Sequence, residues 1–574
     1  MTNKFLLITG RTLQQGIAME AEGKFSPKYM DNVAVAEMHP DDISKLSLNG
    51  KCLVESEFGS VVVKVRASKE VTPGTIFIPM GPWANAIVDP RTESTGMPNL
   101  KGTYVAVKPT DKDITSLEEI LSRYTKKKVI YKGVDLKVED GEKKVIEDVV
   151  CTFCAELCDY LRVEVSGNRI LRNIGGCALS NAKYQNYYKH RILKPLIRKN
   201  DDFVEVSYDE AIEEAAKILA NSKYPLLFGW SDTSTQAIEL GIYLTEILGG
   251  IMDNTSVICH GPTALGAQEV GTARATLGVI RHLADLIIIW GSNCLHAHPN
   301  HLVRWVFSKG KDRSGRKDRK IVVVDVRETA TAKQADKFIH IEPGRDLEFI
   351  TALRMAVRDI EIEAESVAGV SKEEILELAD MMRTAKYGVI FVGMGVTMTG
   401  AKFRNIQEVI KLAHDLNEWT RFTVIPMRGH YNVTGANAAT LWNTGYPYGV
   451  HYQTDFPKMI VGVTTTTEPL INEEVDAALV VASDPVAHLP NKAVKHLCNI
   501  PLIVVDPKWS LTASVADVVI PSKMIGIEDD GTAYRMDGVA IHVKRVVDPP
   551  DGLLSDVEIL KRLVNRILEL RGLM

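Results

Sequence analysis

No apolar run in this 574-residue chain approaches the roughly 18 residues that a membrane-crossing helix needs; the longest clusters are of the size of "LIIIW" at 286–290. Long basic tracts are missing too, and a formal net charge of −5 argues against a nucleic-acid surface. The opening "MTNKFLLITGRTLQQG" has neither a sustained apolar core nor twin arginines, so no export signal is read and a cytoplasmic location is expected. In that compartment the eight cysteines are not expected to pair as disulfides. The glycines of "GMGVTMTG" (393–400) lack the spacing of a dinucleotide fingerprint and predict only a strand-to-loop turn that brings backbone near a ligand. With 45% hydrophobic and 25% charged residues, the chain has the composition of a globular protein, at a length that allows several domains.

What is present divides into two textures. Residues 1–110 alternate apolar and polar positions in short runs such as "NVAVAEMHP", "SVVVKVRAS" and "GTYVAVKP", which predicts a compact β-barrel or sandwich. A helix is expected over 116–128 with Ser116 as its N-cap, and the charged stretch 131–148 marks a boundary. Beyond 149, amphipathic helices alternate with "YPLLFGW", "ADLIIIWGSN", "KIVVVDVRE", "YGVIFVGMG", "VDAALVVASDP" and "IPLIVVDPKW", the pattern of parallel α/β sheets. Two of these stretches repeat each other. Asp325 precedes Thr331, Asp336 and Ile339 by 6, 11 and 14 residues, and Asp506 precedes Thr512, Asp517 and Ile520 by the same offsets. The duplication predicts two related nucleotide-binding lobes, with an aspartate at each strand's C-terminal end on a ribose. The plainer reading is that each aspartate only caps its own turn.

Cys151, Cys154, Cys158 and Cys177 form C-x2-C-x3-C-x18-C. Three thiolates crowded on one turn and closed by a distant fourth suit a 4Fe-4S cluster; zinc, usually held by two separated knuckles, is the alternative. Cys259, in "SVICHGPTALG", ends a short β-branched run, and its neighbours leave it open as a core thiol, a nucleophile or a metal ligand. Cys52 and Cys498 read as packing, as does Cys294, although it follows a "GSN" turn. The "HAH" at 296–298 follows a strand as in a zinc hydrolase, but the remaining histidines are scattered without that pattern.

Taken together, "CTFCAELCD", "NTSVICHGPTALG", "ADLIIIWGSNCLHAHPNH", "IPMRGHYNVTGAN", "ASDPVAHLPNKAV" and "GTAYRMDGV" resemble the molybdenum/tungsten bis-pterin oxidoreductases, within them the catalytic (B-type) subunits of formylmethanofuran dehydrogenases, over about residues 149–550. Residues 1–125, with "GPWANAIVDPRTESTGMPNLKG", resemble the D-type subunits of the same family, a molybdopterin-dinucleotide-binding barrel. The chain therefore looks like a fusion of the D-type and B-type subunits, with the barrel leading where most of the superfamily places it last. The expected architecture is α/β multidomain: a double-psi-like all-β barrel over 1–128, a linker over 129–148, a cluster domain over 149–205 and Rossmann-like lobes over 206–574.

The resemblance implies a tungsten or molybdenum ion held by two molybdopterin guanine dinucleotides and by Cys259, with the 4Fe-4S cluster on Cys151, Cys154, Cys158 and Cys177. It implies catalytic roles for His260, as proton carrier, and Arg428, as carboxylate holder. Lys183 is the nearest basic residue after Cys177 for the cluster-to-pterin bridge, a position that departs from many relatives. Cofactor contacts are expected from Gly291, Ser292, Asn293, Asp325, Arg327, Gly393, Gly395, Asp484, Pro485 and Asp506, and from Trp83, Asn85, Thr95 and Gly96 in the barrel. The implied reaction is reversible reduction of CO2 to formate, which passes to a partner amidohydrolase with a zinc site. Polyferredoxin and ferredoxin-like subunits and a heterodisulfide reductase complex are the implied electron partners. A stand-alone formate dehydrogenase and a non-catalytic iron–sulfur scaffold are the competing readings.

Overall fold

The alternating runs at the start close into a six-stranded barrel in the order Lys4–Gly10, Thr75–Pro79, Val35–Met38, Gly59–Ala67, Lys51–Ser56, Tyr104–Lys108, as seen in a computed structural model that describes residues 4–454 and 456–573. Lys4–Gly10 pairs in parallel with Thr75–Pro79, and Val35–Met38 with Gly59–Ala67; the other neighbours are antiparallel. The inward positions, among them Leu7, Ala36, Val54, Val63, Ile76 and Val107, are fully buried, which is the payoff of period-2 alternation on a closed sheet.

The helix after the barrel is shorter than expected, Leu117–Ser122, with the Ser116 hydroxyl accepting from the Glu119 amide at 3.0 Å. It stops because Tyr124 and Thr125 turn inward against the second lobe, and Lys127 reaches Asp517 at 2.7 Å. The segment read as a linker is also tied down. Leu136 donates to the Tyr188 carbonyl at 2.7 Å, and Lys143–Val149 pairs with Leu161–Ser166, which pairs with Arg169–Ile174. The last part of that linker is thus a strand of the cluster domain. At the other end of that domain, Leu196–Lys199 and Asp202–Glu205 form a hairpin on the edge of the second lobe's sheet.

All six apolar runs are parallel strands. Leu286–Trp290 lies centrally in a five-stranded sheet, flanked by Lys320–Asp325 and Gly388–Val392, with Lys337–His340 and Phe422–Pro426 at the edges. The larger, nine-stranded sheet has a parallel centre of Val518–Pro521, Leu502–Asp506, Ala477–Val481, Pro225–Gly229 and Ile251–Asn254. The duplication is physical. Asp336 accepts from the Ile321 amide and Asp517 from the Leu502 amide, each at 2.8 Å. Thr331 donates to Asn293 at 2.8 Å where Thr512 donates to Asp484 at 2.7 Å.

In each sheet the chain reverses its winding direction beside a central strand, which opens a crevice at the strands' C-terminal ends. In the smaller sheet the two loops at that point cross backbone on backbone. A Cβ on Gly393 would lie 2.3 Å from the Gly291 carbonyl oxygen, and one on Gly291 (φ +60°) would lie 2.8 Å from the Gly395 Cα. These glycines are dictated by loop against loop.

The barrel docks across both lobes. Asn85 donates to the Ala487 carbonyl at 2.9 Å, and the buried Lys402 ammonium donates to the Met97 and Thr92 carbonyls at 2.8 and 3.1 Å. Lys24 of the barrel domain pairs with Asp484 at 2.6 Å, both largely out of water. Lys24→Ala should destabilise the fold by about 3 kcal/mol at neutral pH, because it strands a buried carboxylate. Asp484 titrates below the ordinary carboxylate range, so the pair's contribution is complete above about pH 4 and lost as pH falls through that lowered value. Thermal unfolding of both proteins should therefore differ at pH 7 and converge in strong acid; equal stability at pH 7 would contradict the assignment.

Candidate active site

The crevices of both sheets open into one cavity of about 410 Å³ that the barrel covers. One lobe contributes Gly291, Ser292, Asn293, Asp325, Arg327 and Gly395; the other contributes Asp484 and Asp506. Cys259, Cys154 and Lys183 also line it. From the barrel side come Arg11, Lys24 and Lys101, none of which the sequence singles out, because contacts across such separations leave no local spacing to read.

Each of the two repeat aspartates caps its own turn through one oxygen. Asp325 accepts from the amides of Val326 and Arg327 at 2.7 and 3.3 Å through one oxygen, and Asp506 from the Lys508 amide at 2.8 Å. In each, the second oxygen has no protein partner among the described residues. Burial raises both carboxyls, Asp506 to about 7. Asp484 differs. Its oxygens already take the Thr512 amide and hydroxyl, the Leu511 amide and Lys24, which fills a carboxylate's four lone-pair sites. The expected cofactor contact at Asp484 thus becomes an anchor for the barrel. Arg327 lies over the Phe77 ring, 4.2 Å from its centroid. Burial lowers Lys101, beside Asp325 and Arg327, to about 8.

Six expected contacts lie away from the cavity lining. Gly393 is spent on the loop crossing, and Pro485 opens the short helix Pro485–His488 in the core. Trp83 is buried with its indole N–H donating to the Thr115 carbonyl at 2.7 Å. Asn85 holds Ala487, Thr95 closes its own turn on the Thr92 carbonyl at 2.5 Å, and Gly96 (φ +74°) packs under Thr465. These last four build the barrel and its contact with the lobes.

The β-branched run before Cys259 is a 3-10 turn, Thr255–Ile258. The strand ends at Asn254, whose side chain accepts from the Ser256 amide at 2.9 Å and caps the turn. Cys259 follows, 4% exposed, and the helix Gly261–Val270 begins with Pro262 in its first turn. Burial pushes the thiol pKa up, while the Gly429 amide and the charges of Arg428 and Arg11 pull it down. The Met394 sulfur is 3.7 Å away.

His260 is wholly enclosed and does not line the cavity. Its Nδ1 meets the Thr263 hydroxyl and its Nε2 the Met427 carbonyl, both at 3.0 Å, and burial holds its pKa down at about 3. Both ring nitrogens are thus occupied by protein partners, and burial disfavours the charged ring; Arg428 likewise is not among the lining residues, although Met427 and Gly429 on either side of it are. The cavity's own histidines include His298 and His430. His298 donates Nε2–H to the Arg428 carbonyl at 2.7 Å, and its buried Nδ1 has no partner among the described residues. His430 has Nδ1 3.2 Å from the Thr255 hydroxyl and Nε2 3.9 Å from Asp232. Their traces in the sequence are "HAH" and "RGHYN".

Arg428 is 4% exposed. Its Nη1 donates to the Asn437 side-chain oxygen and, at 3.4 Å, to the Val433 carbonyl, while Nε has no partner. No carboxylate pairs with it among the described residues. Burial lowers its pKa to about 10, so it stays charged at neutral pH.

The four clustered cysteines line a second, smaller cavity that shares Phe153, Cys154 and His298 with the main one. Burial raises Cys151 to about 11 and, with mutual repulsion, lifts Cys154 and Cys158 further. As bare thiolates the set is electrostatically costly, so the uncoordinated groups stay protonated; a bound cation would offset that cost. Among the described residues no group of three or more His, Cys, Asp or Glu side chains that could hold a metal ion is found. Lys183, on the helix that Cys177 begins, donates to the Thr152 carbonyl at 2.7 Å, which places it against the cluster loop and in the main cavity together. Cys52, Cys294 and Cys498 are buried thiols raised to about 12, as packing residues are. No described helix is long and apolar enough to cross a membrane.

Comparison with known proteins agrees with this arrangement. The molybdopterin oxidoreductase family model matches residues 191–566, and that of the molydopterin dinucleotide binding domain matches residues 5–104. The chain is 45% identical over 432 residues to the B-type subunit of the tungsten-containing formylmethanofuran dehydrogenase 2 of Methanocaldococcus jannaschii, covering 74% of this chain and 99% of that one. Protein FwdD of the same organism is 44% identical over 126 residues, 21% of this chain and 94% of that relative. The fold also matches, with a TM-score of 0.54 at 20% identity, a chain of the formyltransferase/hydrolase complex of Methylorubrum extorquens, covering 66% of this chain and all of that one. With two duplicated lobes facing one barrel-covered cavity, and near-complete alignment to a relative of the B type, the chain belongs to the molybdopterin oxidoreductase family, in its formylmethanofuran dehydrogenase branch.

Proposed function

We propose that the chain is the CO2-reducing component of a formylmethanofuran dehydrogenase, with tungsten or molybdenum on two molybdopterin guanine dinucleotides and on Cys259. The observation that carries this reading is Cys259 itself: a buried thiol at the point where the ends of both lobes, the cluster loop and the barrel meet. When bound, the metal centre supplies the two-electron exchange between CO2 and formate. The protein's part is to hold and to exclude. Asp325 and Asp506 offer one free carboxylate oxygen each, matched across the duplication, to the riboses of two nucleotide ends. Unpartnered buried atoms in the cavity wall, His298 Nδ1, Ser483 Oγ and His488 Nδ1, are donors and acceptors that a polar cofactor would satisfy.

Cys151, Cys154, Cys158 and Cys177 hold a 4Fe-4S cluster, with Lys183 as the side chain between cluster and pterin. The cluster loop is bonded to the strand end beside Cys259, since Ala155 donates to the Gly429 carbonyl at 3.2 Å. Arg428 keeps a full charge beside Cys259 for a carboxylate, and His298 Nδ1 is the nitrogen able to hold a proton in the cavity. Formate leaves for a partner amidohydrolase with a zinc site; the chain of similar fold from Methylorubrum extorquens belongs to a formyltransferase/hydrolase complex. One cluster motif provides one relay centre, so the remaining relays belong to polyferredoxin and ferredoxin-like subunits and a heterodisulfide reductase complex, in the cytoplasm. Co-purification with an amidohydrolase, and acceptance of methanofuran by the purified assembly, separate this reading from a stand-alone formate dehydrogenase.

Cys259→Ala should abolish CO2 reduction while leaving the iron–sulfur spectrum of the anaerobically purified protein intact; surviving activity would contradict the ligand assignment. Arg428→Ala should lower formate turnover by about 100-fold, the usual scale for losing a buried charged donor, with metal content unchanged. Loss of the metal instead would give Arg428 a structural role.

A further inference from the structure

The partner of the Arg428 guanidinium is unusual in being neutral. Asn437, 6% exposed on the helix Val433–Thr444, spends all four of its hydrogen-bonding positions. Its oxygen accepts from Arg428 Nη1 and from the Ser256 hydroxyl at 3.1 Å. Its nitrogen donates to the Pro447 carbonyl at 3.0 Å and to the Asn254 side-chain oxygen at 3.4 Å. The orientation of the amide is fixed by its partners, because guanidinium N–H can only face the oxygen. Asn254 is the cap of the turn that delivers Cys259, and Ser256 lies within that turn. One amide therefore ties the cation to the turn of the thiol.

An aspartate would have the same shape and would be the ordinary partner for a buried arginine. It could not donate to Pro447 and Asn254, and it would neutralise the cation. Asparagine does both jobs that aspartate cannot: it joins two carbonyl-type acceptors to an arginine, and it leaves the positive charge uncompensated. We propose that Asn437 is a positioning residue that fixes the Arg428 guanidinium relative to the Cys259 turn and preserves its charge for a small planar oxyanion, the carboxylate of the substrate. The proposal rests on the reading of Arg428 as the carboxylate holder.

The test uses the full-length protein, purified anaerobically with its metals and then oxidised. Nitrate is the probe: a planar oxyanion close to formate in shape, which oxidised protein has no electrons to reduce. Calorimetric titration of nitrate is compared among wild type, Asn437→Asp, Asn437→Ala and Arg428→Ala, alongside formate KM and kcat and metal analysis. Asn437→Asp should weaken nitrate binding at least tenfold and lower formate kcat/KM at least tenfold, with metal content unchanged. Asn437→Ala, which loosens the guanidinium but keeps its charge, should weaken nitrate by a smaller factor of three to ten. Nitrate affinity within twofold of wild type in Asn437→Asp, with binding lost in Arg428→Ala, would overturn the role of Asn437 and leave Arg428 standing. Unchanged affinity in Arg428→Ala would overturn both. If Asn437→Asp does not fold, Asn437→Ala decides alone: affinity within twofold of wild type overturns the proposal.

Discussion

Three consecutive carbonyls hold the centre of this molecule together. Beyond the strand Phe422–Pro426 the chain runs on without a sheet partner, and its buried carbonyls need donors from elsewhere. The Met427 carbonyl takes His260, the neighbour of Cys259; that of Arg428 takes His298, from the strand-end loop of the smaller sheet; that of Gly429 takes the Ala155 amide, inside the cysteine cluster. A little further on, the Asn432 amide donates to the Ser231 carbonyl of the other lobe. A short extended segment is thus a hub to which the thiol turn, the cluster loop and both lobes are bonded. Each bond is worth only about 1 kcal/mol net, but an unmet buried carbonyl costs more than a made bond returns. This asymmetry keeps the parts in register, and it explains why His260 and His298 are engaged through their Nε2 atoms.

The barrel contributes in the same way. Its cations lie where the duplicated lobes leave the cavity open, and its Lys24 consumes the carboxylate of Asp484, whereas the matching position of the other lobe is the uncharged Asn293. The two halves of the cavity are therefore related in fold but unlike in charge. A barrel that supplies side chains to the cavity wall belongs to the site as well as to the fold, whichever end of the chain carries it.

Much of this is legible in the sequence where the signal is local. The six strand runs are read from apolar texture bounded by turn residues, and the duplication from a repeated spacing of Asp, Thr, Asp and Ile, each with a job: turn, strand-end hydrogen bond, amide acceptor, core. Cysteine spacing points to the small cavity for a similar reason, since three of its four cysteines share one loop. The misreadings come from contacts made at distance. "SVIC" has strand composition, but the Asn254 cap bends it into a turn. Asp484 is expected from the sequence to touch the cofactor, and only a lysine 460 residues away shows that its carboxylate also holds the barrel. The partners of His260, Met427 and Thr263, are likewise not readable from its place beside Cys259. The barrel residues Trp83, Asn85, Thr95 and Gly96 lie in a motif that marks the domain; Trp83 and Thr95 bond within the barrel, while Asn85 and Gly96 meet the lobes.

Everything proposed for the reaction turns on Cys259 as the protein's bond to the catalytic metal. X-ray absorption at the tungsten or molybdenum edge reads that bond itself, on anaerobically purified full-length protein and on Cys259→Ser. One sulfur fewer is expected around the metal in the variant, with the pterin sulfurs retained and the iron content unchanged. An identical sulfur count in the two proteins would contradict the assignment.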